Sequence, residues 1–421
     1  MMAAYQITMR IGWIFKTESI IMPAVMDLLC GPGTELAAWM RSWLPQLNRF
    51  GQSVPQLLFA KRLRDNPLKK TTVFICSGLM GGIFLTLSAT WYFYQGEPNW
   101  LMRIEFLICY ASFFICVGVN NLGFNTLQGK LIRFNYRGRL FLFANMVGGS
   151  AAIFTGWLLL NRWLTDDGGN FAWIFGFAGV CFLIGSMLTM FLKEDSDKKT
   201  ETTNLQSTSY FSFLQPAWNT FVSDTEFRKL AILAGCFGCS MILFPHYQAL
   251  YREAVSADQI FSLRDLIFWV MIQNTGTVIF GMVSGPIADR FGNRFVLQFT
   301  MLVLTACPVF AIWVASSSVM ASSYFFLVFL IVGITPVIFR VLNNFSLELA
   351  SKNDHPNYLS ALSICIAIPV IALSQIAGWL LPILGYKAVF YSISVILLVG
   401  WLLTFNIQEP RKQLLVNDGR V

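Results

Sequence analysis

Charge is scarce in this chain. Asp, Glu, Lys and Arg make up 12% of its 421 residues, against about 25% in a soluble domain. Too little charge is present to solvate a globule carrying 39 Phe and 13 Trp. There is no P-loop, which excludes ATP as the direct energy source. No extended metal-ligand spacing and no nucleophilic triad stands out, so no metal or cofactor is implied and an enzyme lacks its catalytic cluster. The nine cysteines (30, 76, 109, 116, 181, 236, 239, 307, 365) lie in or at the ends of apolar segments and read as small packing residues. Cys236 and Cys239 form a CxxC with no second pair and no adjacent His, which argues against redox or metal work. No cleavable signal-peptide pattern opens the chain.

Apolar sequence is abundant. Hydrophobic residues reach 56% and the mean hydropathy is +0.60. Repeated apolar runs of about 20 residues match the length that a bilayer core demands of a helix. Twelve such segments occur, at 8–30, 36–60, 71–94, 102–127, 139–161, 171–192, 229–251, 263–287, 295–315, 322–346, 359–383 and 387–406. The longest polar stretch, 193–227, divides them six and six and reads as a solvated linker. The expected fold is an all-α membrane protein of twelve transmembrane helices in two pseudo-symmetric six-helix halves. The expected layout is a first half at 1–192, a linker at 193–227, a second half at 228–408 and a tail at 409–421. Segments 1 and 2 carry Lys16, Glu18, Asp27, Arg41 and Arg49, and a hydropathy plot alone would pass over them.

Internal repetition and charge support both segments. Residues 20–29 align with 242–251, matching Pro23 to Pro245; 60–66 align with 288–294; Val117-Gly118 aligns with Val332-Gly333. Basic residues cluster between segments 2 and 3 (Lys61, Arg62, Arg64, Lys69, Lys70), 4 and 5 (Lys130, Arg133, Arg137, Arg139), and 8 and 9 (Arg290, Arg294). The opposite loops are poorer in positive charge. The net charge of +8 is therefore topological and does not point to nucleic acid. Positive-inside bias predicts a multi-pass protein of the cell membrane with both termini in the cytoplasm.

Between segments 8 and 9 stands Gly285-Pro-Ile-Ala-Asp-Arg-Phe-Gly-Asn-Arg294. With the six-plus-six layout and central linker, it resembles the major facilitator superfamily. That family's loop pattern is roughly Gly-x-x-x-Asp-Arg-x-Gly-Arg-Arg/Lys; Gly285, Asp289, Arg290, Gly292 and Arg294 match, with Asn293 at a usually basic position. The first-half copy is altered, with Lys61 in place of the acid, Arg62 retained and Arg64 in place of the glycine. The resemblance implies a conformational latch formed by these loops, in which Asp289 accepts from helix N-terminal amides and Arg290 caps helix C-terminal carbonyls. It also implies a solute cavity lined by helices 1, 4, 7 and 10. Segment 5 lacks the Gly-Pro of drug–proton antiporters. Phe191-Leu-Lys-Glu-Asp and Gln408-Glu-Pro-Arg stand where sugar porters carry Pro-Glu-Ser-Pro-Arg and Pro-Glu-Thr.

Charged and amide groups inside the apolar segments are the candidate pathway, because an intramembrane charge costs on the order of 2.5–3.5 kcal/mol unless it faces a cavity or a partner. Helical spacing puts Lys16, Pro23 and Asp27 on one face of segment 1 and Glu18 on the opposite face, to pair with Arg41 or Arg49 or to carry a proton. Asp27 lies near a helix end, where water could satisfy it. Segment 2 presents Arg41, Asn48 and Gln52 together, with Arg49 beside them. Segment 4 presents Asn121, Asn125 and Gln128, and segment 10 presents Arg340, Asn344 and Glu348. His246 in segment 7 and Gln273 and Asn274 in segment 8 extend the set. Any of the amides could equally be packing glue between helices. The expected function is a secondary active transporter that moves a small solute across the bilayer by alternating access, with protons as candidate coupling ion. Arg340 and Arg41 would suit an anionic solute. The alternative is a non-transporting sensor or assembly protein of the same fold.

Overall fold

The computed structural model describes residues 1–94, 98–132, 134–164, 170–196, 215–255, 263–350 and 354–409. Among these residues every regular element is a helix. Helices α1 (Met2–Ile14) and α2 (Ile21–Cys30) together make the first span. Then follow α3 (Glu35–Asp65), α4 (Lys69–Phe93), α5 (Trp100–Leu131), α6 (Phe134–Trp163) and α7 (Phe171–Met190). A short α8 (Gln215–Ser223) falls within the linker stretch. The seventh span runs through α9 (Thr225–Cys239), a 3₁₀ turn at Ser240–His246 and α10 (Tyr247–Ala254). Helices α11 (Leu263–Phe291) and α12 (Asn293–Val314) are the eighth and ninth. Helices α13 (Ser318–Tyr324), α14 (Phe326–Val332) and α15 (Thr335–Leu349) make the tenth. Helix α16 (His355–Leu403) holds the last two spans, broken at Gly385, which has a non-helical φ of 76°.

Among the described residues, eight helices are long and apolar enough to cross a membrane by length and composition, the last covering two spans. The first span fails that test because it is broken. Residues 15–20 leave the helix where Lys16-Thr-Glu-Ser falls. The Thr17 hydroxyl donates back to the Ile14 carbonyl at 2.8 Å, and the Thr17 carbonyl accepts from the amides of Ile21 at 2.9 Å and Met22 at 3.1 Å. Thr17 thus closes α1 and opens α2. Pro23 sits in the first turn of α2, where a missing N–H costs nothing. Its repeat partner, Pro245, lies in the 3₁₀ turn that breaks the seventh span.

The chain divides into two compact units, residues 1–207 with 260–271, and 208–259 with 272–421. In the first, α4 packs on α5 and α7, α3 on α5, and α1 on α6 and α7. Phe84, Phe106, Phe113, Phe175 and Phe182 fill its centre, each almost fully buried. In the second, α16 receives α9 and α12. Each unit contains a crossing of two glycines. A Cβ on Gly118 of α5 would overlap the Gly51 carbonyl of α3, and a Cβ on Gly51 would lie 2.6 Å from the Phe114 backbone. A Cβ on Gly276 of α11 would overlap the Leu330 carbonyl, and one on Gly333 the Gln273 carbonyl. The second span thus meets the fourth as the eighth meets the tenth. The Val117-Gly118 and Val332-Gly333 match has this backbone approach as its physical cause.

Candidate functional site

The break in the first span sets a charge pair at mid-span. Lys16 Nζ lies 2.8 Å from Glu18 Oε1. The helical-face expectation, which placed these two on opposite sides, fails because residues 15–20 are not helical, so a 100° step per residue does not apply. Lys16 is fully buried in an aromatic box. Its ammonium stands 3.5 Å from the Trp13 ring centroid, 4.3 Å from Phe114 and 5.0 Å from Phe113. Ring quadrupoles of this kind are worth about 2 kcal/mol to a desolvated cation. Glu18 is half-buried, with 26% of its side chain uncovered.

Helix α3 completes the cluster. The Asn48 amide donates to the other Glu18 oxygen and accepts from Gln52 Nε2 at 2.6 Å. Arg49 faces Glu18 and Lys16 from the same helix. From α5 comes Tyr110, 4% exposed, its hydroxyl facing Glu18, Asn48 and Arg49. That hydroxyl is buried against the Asn48 side chain. Tyr110 and Trp13 were not among the sequence-derived candidates. Nothing distinguishes them in a chain this rich in aromatics until the fold brings α5 against α3.

Asp27 and Arg41 form a buried ion pair between α2 and α3, each 1% exposed. Asp27 is thus dry rather than solvated. Nearby, Arg103 Nε of α5 donates to the Leu29 carbonyl at the end of α2 at 2.8 Å. On α5, Asn121 and Asn125 are exposed and Gln128 half-buried. The adjacent Asn120 is the structural amide. It donates to Tyr5 Oη at 2.8 Å and accepts from Ser77 at 3.2 Å. In the second unit His246 is fully buried at the end of the 3₁₀ turn, Gln273, Asn274 and Arg340 are half-buried, and Asn344 is exposed. The Arg340 guanidinium lies over Gly281 of α11.

The 285–294 loop is a one-residue turn. Gly292 has φ +90° and hands α11 directly to α12. The Glu409 carboxylate occupies the α12 N-terminus, accepting from the Arg294 amide at 2.7 Å. The Arg294 guanidinium donates to the Phe405 carbonyl at 2.7 Å and the Thr404 carbonyl at 3.2 Å, capping the end of α16. Asn293 donates to Glu348 at 2.9 Å. Arg290 and Gly285 are exposed; the Asp289 side chain lies outside the described residues. The sequence assigned carbonyl capping to Arg290; Arg294 does it here.

The first half repeats this chemistry with other residues. Glu194 accepts from the Lys69 and Lys70 amides at 3.0 and 2.8 Å, at the N-terminus of α4. Lys70 Nζ donates to the Leu192 carbonyl at 3.0 Å, beyond the end of α7. Lys130 joins Glu194 at 3.1 Å. Lys69 Nζ donates to the Leu63 carbonyl at 2.7 Å, closing α3 where no glycine is available. Glu194, placed by its sequence neighbours in a solvated stretch, has no side-chain exposure. Arg62 is exposed, and the Lys61 side chain lies outside the described residues. The working twin of Arg294 is therefore Lys70. Glu409→Gln should lower stability by about 1 kcal/mol, the worth of a charged cap at a helix start. Gly292→Val should cost more, since a Cβ there lies 2.6 Å from the Glu409 carboxyl and needs an unfavourable φ. Thermal midpoints of the two purified variants give the ranking.

A family model described as Major Facilitator Superfamily matches residues 50–333 and 253–419. No curated protein matches the chain significantly. Among solved structures, the nucleoside transporter NupG is 11% identical with a TM-score of 0.66, over 96% of this chain and 98% of that one. The xylose transporter XylE from E. coli is 12% identical with a TM-score of 0.63, over the same shares. A POT family transporter in complex with 5-aminolevulinic acid is 13% identical with a TM-score of 0.69, over 97% and 95%. At these identities the likeness establishes a shared fold.

Proposed function

The chain belongs to the major facilitator superfamily, and from that premise we propose that it is a secondary active transporter moving a small solute by alternating access, coupled to protons through Glu18. It is a multi-pass membrane transport protein and not an enzyme. The observation that carries the finer reading is the interrupted first span, with a charge network at mid-span. Transporters place solute and ion sites at such interruptions, where unwound backbone and half-helix ends offer unsatisfied groups. The seventh span is interrupted at the matching proline. Glu18 is the carboxylate of the network and is half-buried, with 26% of its side chain uncovered, so it is the group a proton reaches. The latch reading assigns Glu194, Lys70, Glu409 and Arg294 to links that hold in one state and release in another, with Lys61, Arg62, Asp289 and Arg290 at the same loops. The clustered Lys and Arg of those loops support a reading in which the loops and both termini face the cytoplasm at the cell membrane.

Proteoliposomes test this. Purified protein under an imposed inward proton gradient should accumulate a solute. Glu18→Gln should abolish the gradient-driven accumulation, and Arg340→Ala should lower the rate. Unchanged accumulation in both folded variants would sink the proposed pathway.

A further inference from the structure

We propose that Trp13 is a positioning residue for the proton step at Glu18: its ring, with Phe114, is a second seat for the Lys16 ammonium, used when Glu18 takes up a proton. This rests on the reading of Glu18 as the proton carrier and adds the residue that sets when it loads.

An ammonium has three N–H donors. Among the described residues that of Lys16 has one hydrogen-bond acceptor, Glu18 Oε1 at 2.8 Å. Its remaining neighbours are ring faces, with centroids at 3.5 Å for Trp13, 4.3 Å for Phe114 and 5.0 Å for Phe113. Lys16 has no exposure, so water does not replace an acceptor that is lost. The Lys16 amide donates to the Trp13 carbonyl at 3.2 Å, so the turn that ends α1 keeps indole and ammonium together. The core fixes the other two rings. Phe113 meets Phe84 at 4.9 Å and Phe182 at 5.5 Å, and Phe114 meets Tyr110 at 4.9 Å. The box therefore stays in place whether or not the carboxylate is charged.

The two Glu18 oxygens have different partners. Oε2 accepts from the Asn48 amide and Oε1 from Lys16. A proton from water forms an O–H bond on Oε1. That turns a carboxylate oxygen into a weaker acceptor, and the bond from Lys16 breaks. Oε2 still accepts from Asn48. Lys16 keeps its own protons, and the cluster gains one positive charge. An ammonium stranded in a dry site is strongly penalised, so against aliphatic walls the carboxylate would hold on to its charge. Ring faces attract a cation, and the attraction grows as water is excluded. While Glu18 is ionised it shares the ammonium with the rings; afterwards the rings hold it alone. Removing a ring therefore weakens the protonated state more than the ionised one.

Within the first unit the groups facing Glu18 are Lys16 from its own segment, Asn48 and Arg49 from α3, and Tyr110 from α5. Asp27 of α2 is paired with Arg41. The middle of α6 (144–158) and all of α7, the helices packed on α1, contain no Asp, Glu, Lys, Arg or His. Lys16 is the partner that a proton on Oε1 displaces.

Infrared difference spectroscopy of the full-length protein in liposomes, titrated across pH, tests this. The carboxyl C=O band that Glu18→Gln removes reports Glu18 protonation without any solute. Trp13→Leu should move the half-point of that band toward acid by about half to one pH unit, the worth of a strong cation–π contact. Trp13→Phe should move it less. In a Lys16→Met background Trp13→Leu should add no shift, because the ring then has no ammonium to hold. Tryptophans of increasing fluorination at position 13 keep the ring's shape and drain electron density from its face. They should move the half-point stepwise toward acid, and they stand in if Trp13→Leu does not fold. An unmoved half-point in Trp13→Leu, a flat fluorinated series, or the same Trp13→Leu shift without Lys16 overturns the seat. The expected band shifts in protein whose solute accumulation ignores an imposed proton gradient overturn the coupling reading and leave the seat standing. No Glu18 band at any pH where the protein is folded overturns both.

Discussion

Arg41→Met should destabilise the first half by about 3–5 kcal/mol, the usual consequence of stranding one member of a buried ion pair. Asp27 would remain 1% exposed between α2 and α3 with its cation gone. The full effect should appear as a drop in the thermal midpoint of detergent-purified protein and as early loss of monodispersity. Asp27→Leu/Arg41→Leu is the informative companion. Replacing both partners with apolar groups leaves no orphan charge, so most of the loss should be recovered. A single variant with the wild-type midpoint would show that α2 and α3 are held by something else.

The second large effect belongs to the glycine crossings. Gly118→Leu puts a side chain where the Gly51 carbonyl stands, so α3 and α5 must move apart along their length. Overpacking of this kind usually costs 1–3 kcal/mol or more, and backbone cannot yield as a flexible side chain does. Gly333→Leu should do the same at the Gln273 carbonyl of α11. Both variants should give a low yield of folded protein, and any folded fraction should lose flux. Gly82→Leu, with nothing within 4 Å of the added Cβ, should be nearly neutral and is the control. A folded, active Gly118→Leu would mean that this crossing is looser than its geometry.

The twelve spans were legible because apolar length, loop charge and repeats all report on the bilayer, and each is written locally in the sequence. The pairing within the site was less so. Lys16 and Glu18 were identified, but their relation was inverted, because helical spacing was carried across residues that Thr17 takes out of the helix. Tyr110 and Glu194 were missed for a different reason. Each acquires its role from a residue far away in the chain, Asn48 and Arg49 for one and Lys69, Lys70 and Lys130 for the other. The exposure of Asn121 and burial of Asn120 likewise depend on which face of α5 meets Tyr5 and Ser77, a choice that neighbouring identical amides cannot reveal.

The first two spans also bear on how the protein is made. Neither suits insertion by itself: one is interrupted at Lys16 and Glu18, and the other carries Arg41 and Arg49. One ion pair, Asp27 to Arg41, crosses the turn between them, the Asn48 amide donates across it to Glu18, and Lys16 pairs with Glu18 within the first leg. The unit that the insertion machinery must release into lipid is therefore a hairpin whose two legs are tied by a buried ion pair and by the Asn48–Glu18 hydrogen bond. Cutting synthesis short after the first leg should leave it outside the bilayer, whereas extending it through residue 65 should let both legs enter together.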